Sequence, residues 1–319
     1  MKAGKWKFIL SAALLTLIIP ALAQASALCP ITEPMDSTAW WVWPLLLLLA
    51  TFLMGVIAVP GGIGGGVLYV PIIGCFFPFH IDFVRSAGLL VALSGALAAG
   101  PGLLQANLAS LRLAMPVALV TSACAIIGAM FGLALPASVI KLLLGITILG
   151  IVGIMLTAKK STFPEVPKPD ALSAALRIYG ICQLPDKNVV NWQIHRTIPS
   201  LLTFIVIGIM AGMFGLGAGW ANVPVLNLMM GAPLKVSVAT SKFLLSITDT
   251  SAAWVYLNNG AVIPMLVAPS LIGIMLGSFV GVRILKIANP SLIRMTVIVV
   301  LTFAGGKALF DGLAAISLL

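Results

Sequence analysis

The chain has 319 residues, 61% of them hydrophobic and only 8% charged, with a formal net charge of +10. Its mean hydropathy of +1.17 excludes a water-soluble globule of this length, because polar surface is too scarce to cover one, and marks a polytopic membrane protein. The positive charge does not indicate a nucleic-acid partner: Lys and Arg are spread over loops, as the positive-inside rule requires, and do not gather on one face.

Residues 1–25 read either as a cleaved export signal or as an uncleaved first helix. Lys2, Lys5 and Lys7 precede an apolar core from Phe8 to Leu22, and Ala23-Gln24-Ala25 forms an AxA-type cleavage site. Either way, 26–43 starts on the outer side, with Trp40, Trp41 and Trp43 as an interfacial belt. A first membrane repeat, 44–157, holds apolar stretches near Trp43 to Val59, Phe83 to Leu104, Leu113 to Leu135 and Val139 to Thr157. Each approaches the about 20 residues that cross hydrocarbon as a helix, and none alternates as a membrane barrel strand does. The polar linker 158–197 carries Lys159, Lys160, Lys168, Arg177, Lys187 and Arg196 and is expected to be cytoplasmic. Pro164, Pro167 and Pro169 make its start extended, and Ala171 to Ile178 suits a short surface helix. A second repeat, 198–319, supplies Ile198 to Phe214, Val236 to Leu257, Val262 to Ile284 and Leu292 to Phe310. The four cysteines show no CxxC spacing and suggest neither a metal nor a disulfide framework.

The two repeats are related by an internal duplication. A gapless shift that carries Gly62 onto Gly215 also superposes Leu48, Leu49, Gly55, Ala58, Gly64, Gly66, Val70 and Pro71 on Leu201, Leu202, Gly208, Ala211, Gly217, Gly219, Val223 and Pro224. The shared feature is a glycine-rich break in a hydrophobic run, and such paired breaks point to a transporter's binding site. Charge parity gives the orientation. With Ser26 outside and Lys159 inside, the first repeat crosses an odd number of times, so the fold expected is all-α with two inverted repeats of Gly-broken helices. Arg112, Lys235, Arg283, Lys286 and Arg294 then fall inside, whereas Arg85 and Lys141 fall on the wrong side.

Gly64, Gly65 and Gly66, with Gly217, Ala218 and Gly219, allow the backbone to leave helical geometry and turn N–H groups toward a common point. Helices restarting near Val67 and Trp220 add positive N-terminal ends that suit an anion. Close helix packing is the competing reading, and it is the preferred one for Gly273, Gly277 and Gly281.

At these breaks the chain resembles the TauE/SafE family of sulfite-exporter-like permeases, whose duplicated pattern runs from a Gly-rich stretch into a proline and then to an Ala-x-Thr-Ser-type helix start. Here the pattern reads Gly62-Ile63-Gly64-Gly65-Gly66 to Pro71, and Gly215-Leu216-Gly217-Ala218-Gly219 to Pro224 with Val238-Ala239-Thr240-Ser241 after it. In the first repeat the Thr-Ser positions are Ala87 and Gly88. The resemblance implies gradient-driven movement of small sulfur-containing or organic anions, such as sulfite, sulfonates or sulfoacetate, across the inner membrane, with H+ as coupling ion and no cofactor.

Ionisable groups inside the spans are the remaining candidates, since each costs about 2.5 to 3.5 kcal/mol on insertion scales. Lys242, beside Thr240 and Ser241, is read as the anion-attracting charge, with snorkelling to the interface as the alternative. Asp249 is the coupling candidate, with a satisfied buried carboxyl as the alternative. Asn222 and Trp220 could line the cavity, and Tyr69 stands where the second repeat has Asn222. His80, Asp82 and Arg85 read as an exposed loop salt bridge, and His195 as a solvated loop residue. An anion channel shares this chemistry. An intramembrane enzyme does not fit, because no nucleophile with a base, carboxylate pair or ligand set stands in the spans.

Overall fold

The computed structural model describes residues 41–61, 64–77, 79–105, 109–157, 170, 173, 178–183, 189–285 and 290–317. The export signal or leading helix, the extended start of the linker and nearly all of the short helix expected over 171–178 lie outside them. The described chain is helical apart from one hairpin. In order it forms α1 (Val42–Gly61), α2 (Gly65–Phe76), α3 (Ile81–Gln105), α4 (Leu111–Ala134), α5 (Ala137–Thr157), β1 (Tyr179–Gln183), β2 (Val189–Gln193) and α6 (Thr197–Phe214). There follow α7 (Gly219–Pro224), which widens into a π-helical turn over Val225–Met229, then α8 (Leu234–Asn258), α9 (Pro264–Leu285) and α10 (Pro290–Ser317). Among these, α3, α4, α5, α6, α9 and α10 are the 6 helices long and apolar enough to cross a membrane. With 25 residues, α8 also has the length, but Thr240, Lys242, Thr248 and Asp249 interrupt its apolarity and are buried inside the molecule.

Glycines set how the helices meet. Gly273 and Gly277 of α9 lie against α1 as expected: a Cβ at Gly277 would stand 3.1 Å from the Gly55 Cα, and one at Gly273 3.1 Å from the Phe52 nitrogen. On the other side, α6 lies against α4, where a Cβ at Gly208 would meet Thr121 O at 2.7 Å and one at Gly212 the Ala125 carbonyl carbon at 2.8 Å. Residue numbers rise together along both contacts, so both pairs run parallel. The α5–α10 contact runs the other way, with Gly145 beside Leu309 and Gly312 beside Leu142. Such close approach replaces the hydrophobic drive that lipid does not supply. The central helices α3 and α8 pack on each other.

The linker contributes an element that the sequence did not announce. β1 and β2 pair antiparallel, with Gly180 opposite Trp192. Ile178, Trp192 and Ile194 are buried in one cluster with Leu113 and Val117 of α4, Leu226 and Met230 beyond α7, and Val236 of α8. His195, read as solvated, is instead half-buried, and its N–H donates to Met230 O at 3.0 Å. The backbone reversal at the linker's end, where Arg196 takes a φ of 53°, leaves the start of α6 without a cap of its own. Asp170 supplies one: its carboxylate accepts the Thr197 N–H and hydroxyl, each at 2.9 Å, and the Ser173 N–H at 3.3 Å.

Burial alone would raise the Asp170 carboxyl, but the hydrogen bonds from Ser173 and Thr197 outweigh it and hold it below its ordinary range. Its stabilising contribution is therefore complete above about pH 4 and lost as pH falls through the lowered value. Asp170→Ala is expected to lower stability by about 1 kcal/mol, as loss of a helix cap does, and the difference from wild type should shrink on acidification. A difference in thermal melts that stays constant down to the acid limit contradicts the assignment.

Candidate functional site

The two glycine breaks touch each other. A Cβ at Gly219 would lie 3.1 Å from the Gly64 nitrogen, and one at Gly66 would lie 2.7 Å from Leu216 O and 2.8 Å from Gly88 O. Side chains at these places would drive the segments apart. Gly215 and Gly217 each have a φ of 69°, a left-handed conformation that glycine adopts without steric cost. Gly64 caps α2, whose helix resumes at Gly65, earlier than the Val67 expected. In the second break Ala218 accepts the N–H groups of Ala221 and Asn222 at 3.2 and 3.0 Å. The six α-helical residues of α7 run directly into the five-residue π turn, so each break leads into a helix N-terminus.

Around this crossing polar residues of the second half are buried, and the side chains of Asp249, Asn222 and Trp220 have no hydrogen-bond partner among the described residues. Asp249 is fully buried, and neither of its carboxylate oxygens has a hydrogen-bond partner among the described residues. Its Oδ2 borders the second break, 2.9 Å from where a Gly217 Cβ would stand. Asn222 is equally buried, and neither atom of its amide has a partner among the described residues. Tyr69, its counterpart in the first half, is engaged: its hydroxyl lies 3.1 Å from the Ser270 hydroxyl. Trp220 packs against both large hydrophobic clusters, each of which draws residues from both halves. Unpartnered polar groups at buried positions cost folding free energy, so each calls for a partner or a role.

The other candidates on α8 divide. Thr240 accepts the Ser110 N–H at 3.1 Å and so fixes the start of α4. Ser241 is buried beside it, and Lys242, only 9% exposed, does not reach the surface as a snorkelling lysine does. Lys242 and Asp249 form no ion pair within 4.0 Å, in keeping with seven positions, or about 10 Å of helix rise, between them. Thr248, next to Asp249, shares a 3.1 Å hydroxyl contact with Thr121 of α4.

Arg85 requires a correction. It is not part of an exposed loop: its side chain is fully buried, while its partner Asp82 is 29% exposed and lies 3.3 Å from Nδ1 of His80, which is 57% exposed. Its guanidinium donates to Met213 O at the end of α6 and to Gly132 O in the last turn of α4. The sequence signal that could have found it was its position on the wrong side in the charge count.

The crossing implies a stability test. Gly217→Ala forces a Cβ into left-handed backbone at a cost of roughly 1–2 kcal/mol, besides crowding Asp249. Gly150→Ala on α5, where nothing lies within 4 Å of the added atom, should leave the melting temperature unchanged or slightly higher. Equal melting temperatures for the two variants contradict the described crossing.

Comparison with known proteins agrees with this architecture. The family model for the sulfite exporter TauE/SafE matches residues 47–308. The probable membrane transporter protein YunE of Bacillus subtilis (strain 168) is 28% identical over 108 residues, 34% of this chain and 40% of that protein. The probable membrane transporter protein YdhB of the same organism is 23% identical over 271 residues, 83% of this chain and 100% of that protein. No solved structure matches the chain. A family match that spans both glycine breaks and nearly all the membrane helices places the chain in the sulfite exporter TauE/SafE family of membrane transporters.

Proposed function

We propose that the protein is a secondary transporter that moves small sulfur-containing or organic anions, such as sulfite, sulfonates or sulfoacetate, across the inner membrane with H+ as coupling ion. The observation that carries this reading is the crossing of the two breaks, with the unpartnered carboxylate of Asp249 against one of them. Irregular backbone at membrane depth is tolerated where it lines a cavity between repeats. In this reading Gly64 to Gly66 and Gly217 to Gly219 present backbone N–H groups to the anion, Asn222 offers its amide, and Lys242 supplies the attracting charge with Thr240 and Ser241 beside it.

An inverted arrangement of the repeats is supported by the pairing of helices. By the sequence shift α1 corresponds to α6, and by chain order α9 corresponds to α4; the contact of α1 with α9 is thus matched by that of α6 with α4. Helices that correspond to each other, α5 with α10 and α3 with α8, run antiparallel, with Arg85 near the start of α3 against Tyr256 near the end of α8. That is what an axis in the membrane plane produces. Asp249 is the proton carrier in this account, because its charge is costly in the closed packing and is relieved when a path to water opens.

Labelled sulfite flux in proteoliposomes tests the proposal. Lys242→Ala should cut uptake at low sulfite roughly tenfold, the effect of about 1.4 kcal/mol. Asp249→Asn should keep sulfite exchange but lose its stimulation by a pH gradient. Absence of flux for sulfite and for sulfonates in wild-type vesicles, under both a proton and a substrate gradient, contradicts the proposal.

A further inference from the structure

Arg85 holds together the helix ends that meet at the second break. Its Nη1 donates to Met213 O at 2.8 Å and to Gly132 O at 3.2 Å, and its Nη2 donates to Gly132 O at 3.1 Å and to the Asp82 carboxylate. Both carbonyls belong to the last turns of helices, α6 and α4, where the helix dipole is negative. The Tyr256 ring centroid lies 5.8 Å from the guanidinium carbon, and the Tyr256 hydroxyl donates to Gly212 O at 2.9 Å. Gly215, the first residue of the break, packs on the Arg85 backbone: its added Cβ would be 2.6 Å from the Arg85 Cα. The shift that aligns the two breaks puts Val238 at the equivalent place in the second half, so this arginine serves one break only.

These contacts bear on charge. An anion seated just beyond Phe214 faces the negative end of α6 directly and that of α4 beside it, and two such ends oppose its binding. Resting on the anion reading above, we infer that Arg85 is a positioning residue that neutralises the converging ends of α4 and α6 and so makes the second break receptive to an anion. Asp82, whose carboxylate shares the guanidinium, tempers that charge. The two residues therefore act in opposite directions on anion affinity, although they form one ion pair.

Sulfite uptake kinetics in proteoliposomes of the full chain distinguish this role from simple bracing. Arg85→Gln removes the charge while keeping amide donors, and is expected to raise KM roughly tenfold, within the range for a charge at a partly buried helix end, with a smaller fall in maximal rate. Arg85→Lys should recover most of the KM. Asp82→Asn, which leaves the arginine unopposed, should lower KM about threefold. An arginine that only braces the fold costs folded protein and maximal rate at constant KM, and gives no lowering of KM in Asp82→Asn. An unmoved KM in Arg85→Gln, or a KM for Asp82→Asn that is unchanged or raised, overturns the inference. Should Arg85→Gln fail to fold, the partly exposed Asp82 decides alone by the same criterion. Wild-type vesicles that take up no sulfite count against the transport reading itself, and the inference falls with it; wild-type uptake with unmoved variants removes the inference only.

Discussion

The crossing of two backbones governs this molecule. A Cβ at Gly219 would press on the Gly64 nitrogen, and one at Gly66 would collide with Leu216 O and Gly88 O, whereas Gly64 itself has ordinary contact space, so it is Gly66 and Gly219 that let the two segments come this close. The surrounding architecture holds the crossing in place. Gly273 and Gly277 bring α9 onto α1, and Gly208 and Gly212 bring α6 onto α4, so each broken helix is braced along its length by a parallel neighbour. Because lipid gives little drive for helices to associate, dispersion contacts at these small residues carry that bracing.

Around the crossing the two halves differ in chemistry. Tyr69 has the Ser270 hydroxyl as partner, whereas Asn222 in the matching place has none. Lys242 and Asp249 belong to α8, and Leu89 and Ala96 fill the corresponding places on α3, both buried among apolar neighbours. The first half thus brings backbone and packing to the crossing, and α8 of the second brings buried polar side chains. Arg85 is the exception: it comes from the first half and acts on the helix ends of the second break. Its ion pair with Asp82 leads from the buried carbonyls toward an exposed histidine.

The apolar runs were readable as helices because length and continuity alone decide them, and the breaks were readable because glycine and Val-Pro recur in one register. Other features depend on partners far away in sequence. Arg85 sits between Asp82 and apolar residues, a pattern that fits a surface turn; the carbonyls that bury it lie 47 and 128 residues away. β1 and β2 are five residues each, inside a polar stretch, and only burial of Trp192 against α4 and α8 gives them a reason to pair. The π turn over Val225–Met229 follows Pro224 without any marker in the side chains. Nor could the sequence tell Tyr69 from Asn222 as engaged and free, since Ser270 is 201 residues from Tyr69.

The central claim is that an anion passes where the two breaks cross, and Gly64 is the place to ask. A Cβ there finds its nearest neighbours at 3.8 Å, ordinary contact distance, so Gly64→Cys fits with little disturbance in a background without the four native cysteines. The rate at which a small thiol reagent modifies this cysteine in proteoliposomes, with and without methanesulfonate, a sulfonate that does not itself react with the reagent, is the direct measurement. The account predicts that saturating methanesulfonate slows modification severalfold while an inert anion such as chloride does not. Modification unaffected by methanesulfonate, in vesicles where the protein transports it, would contradict the claim.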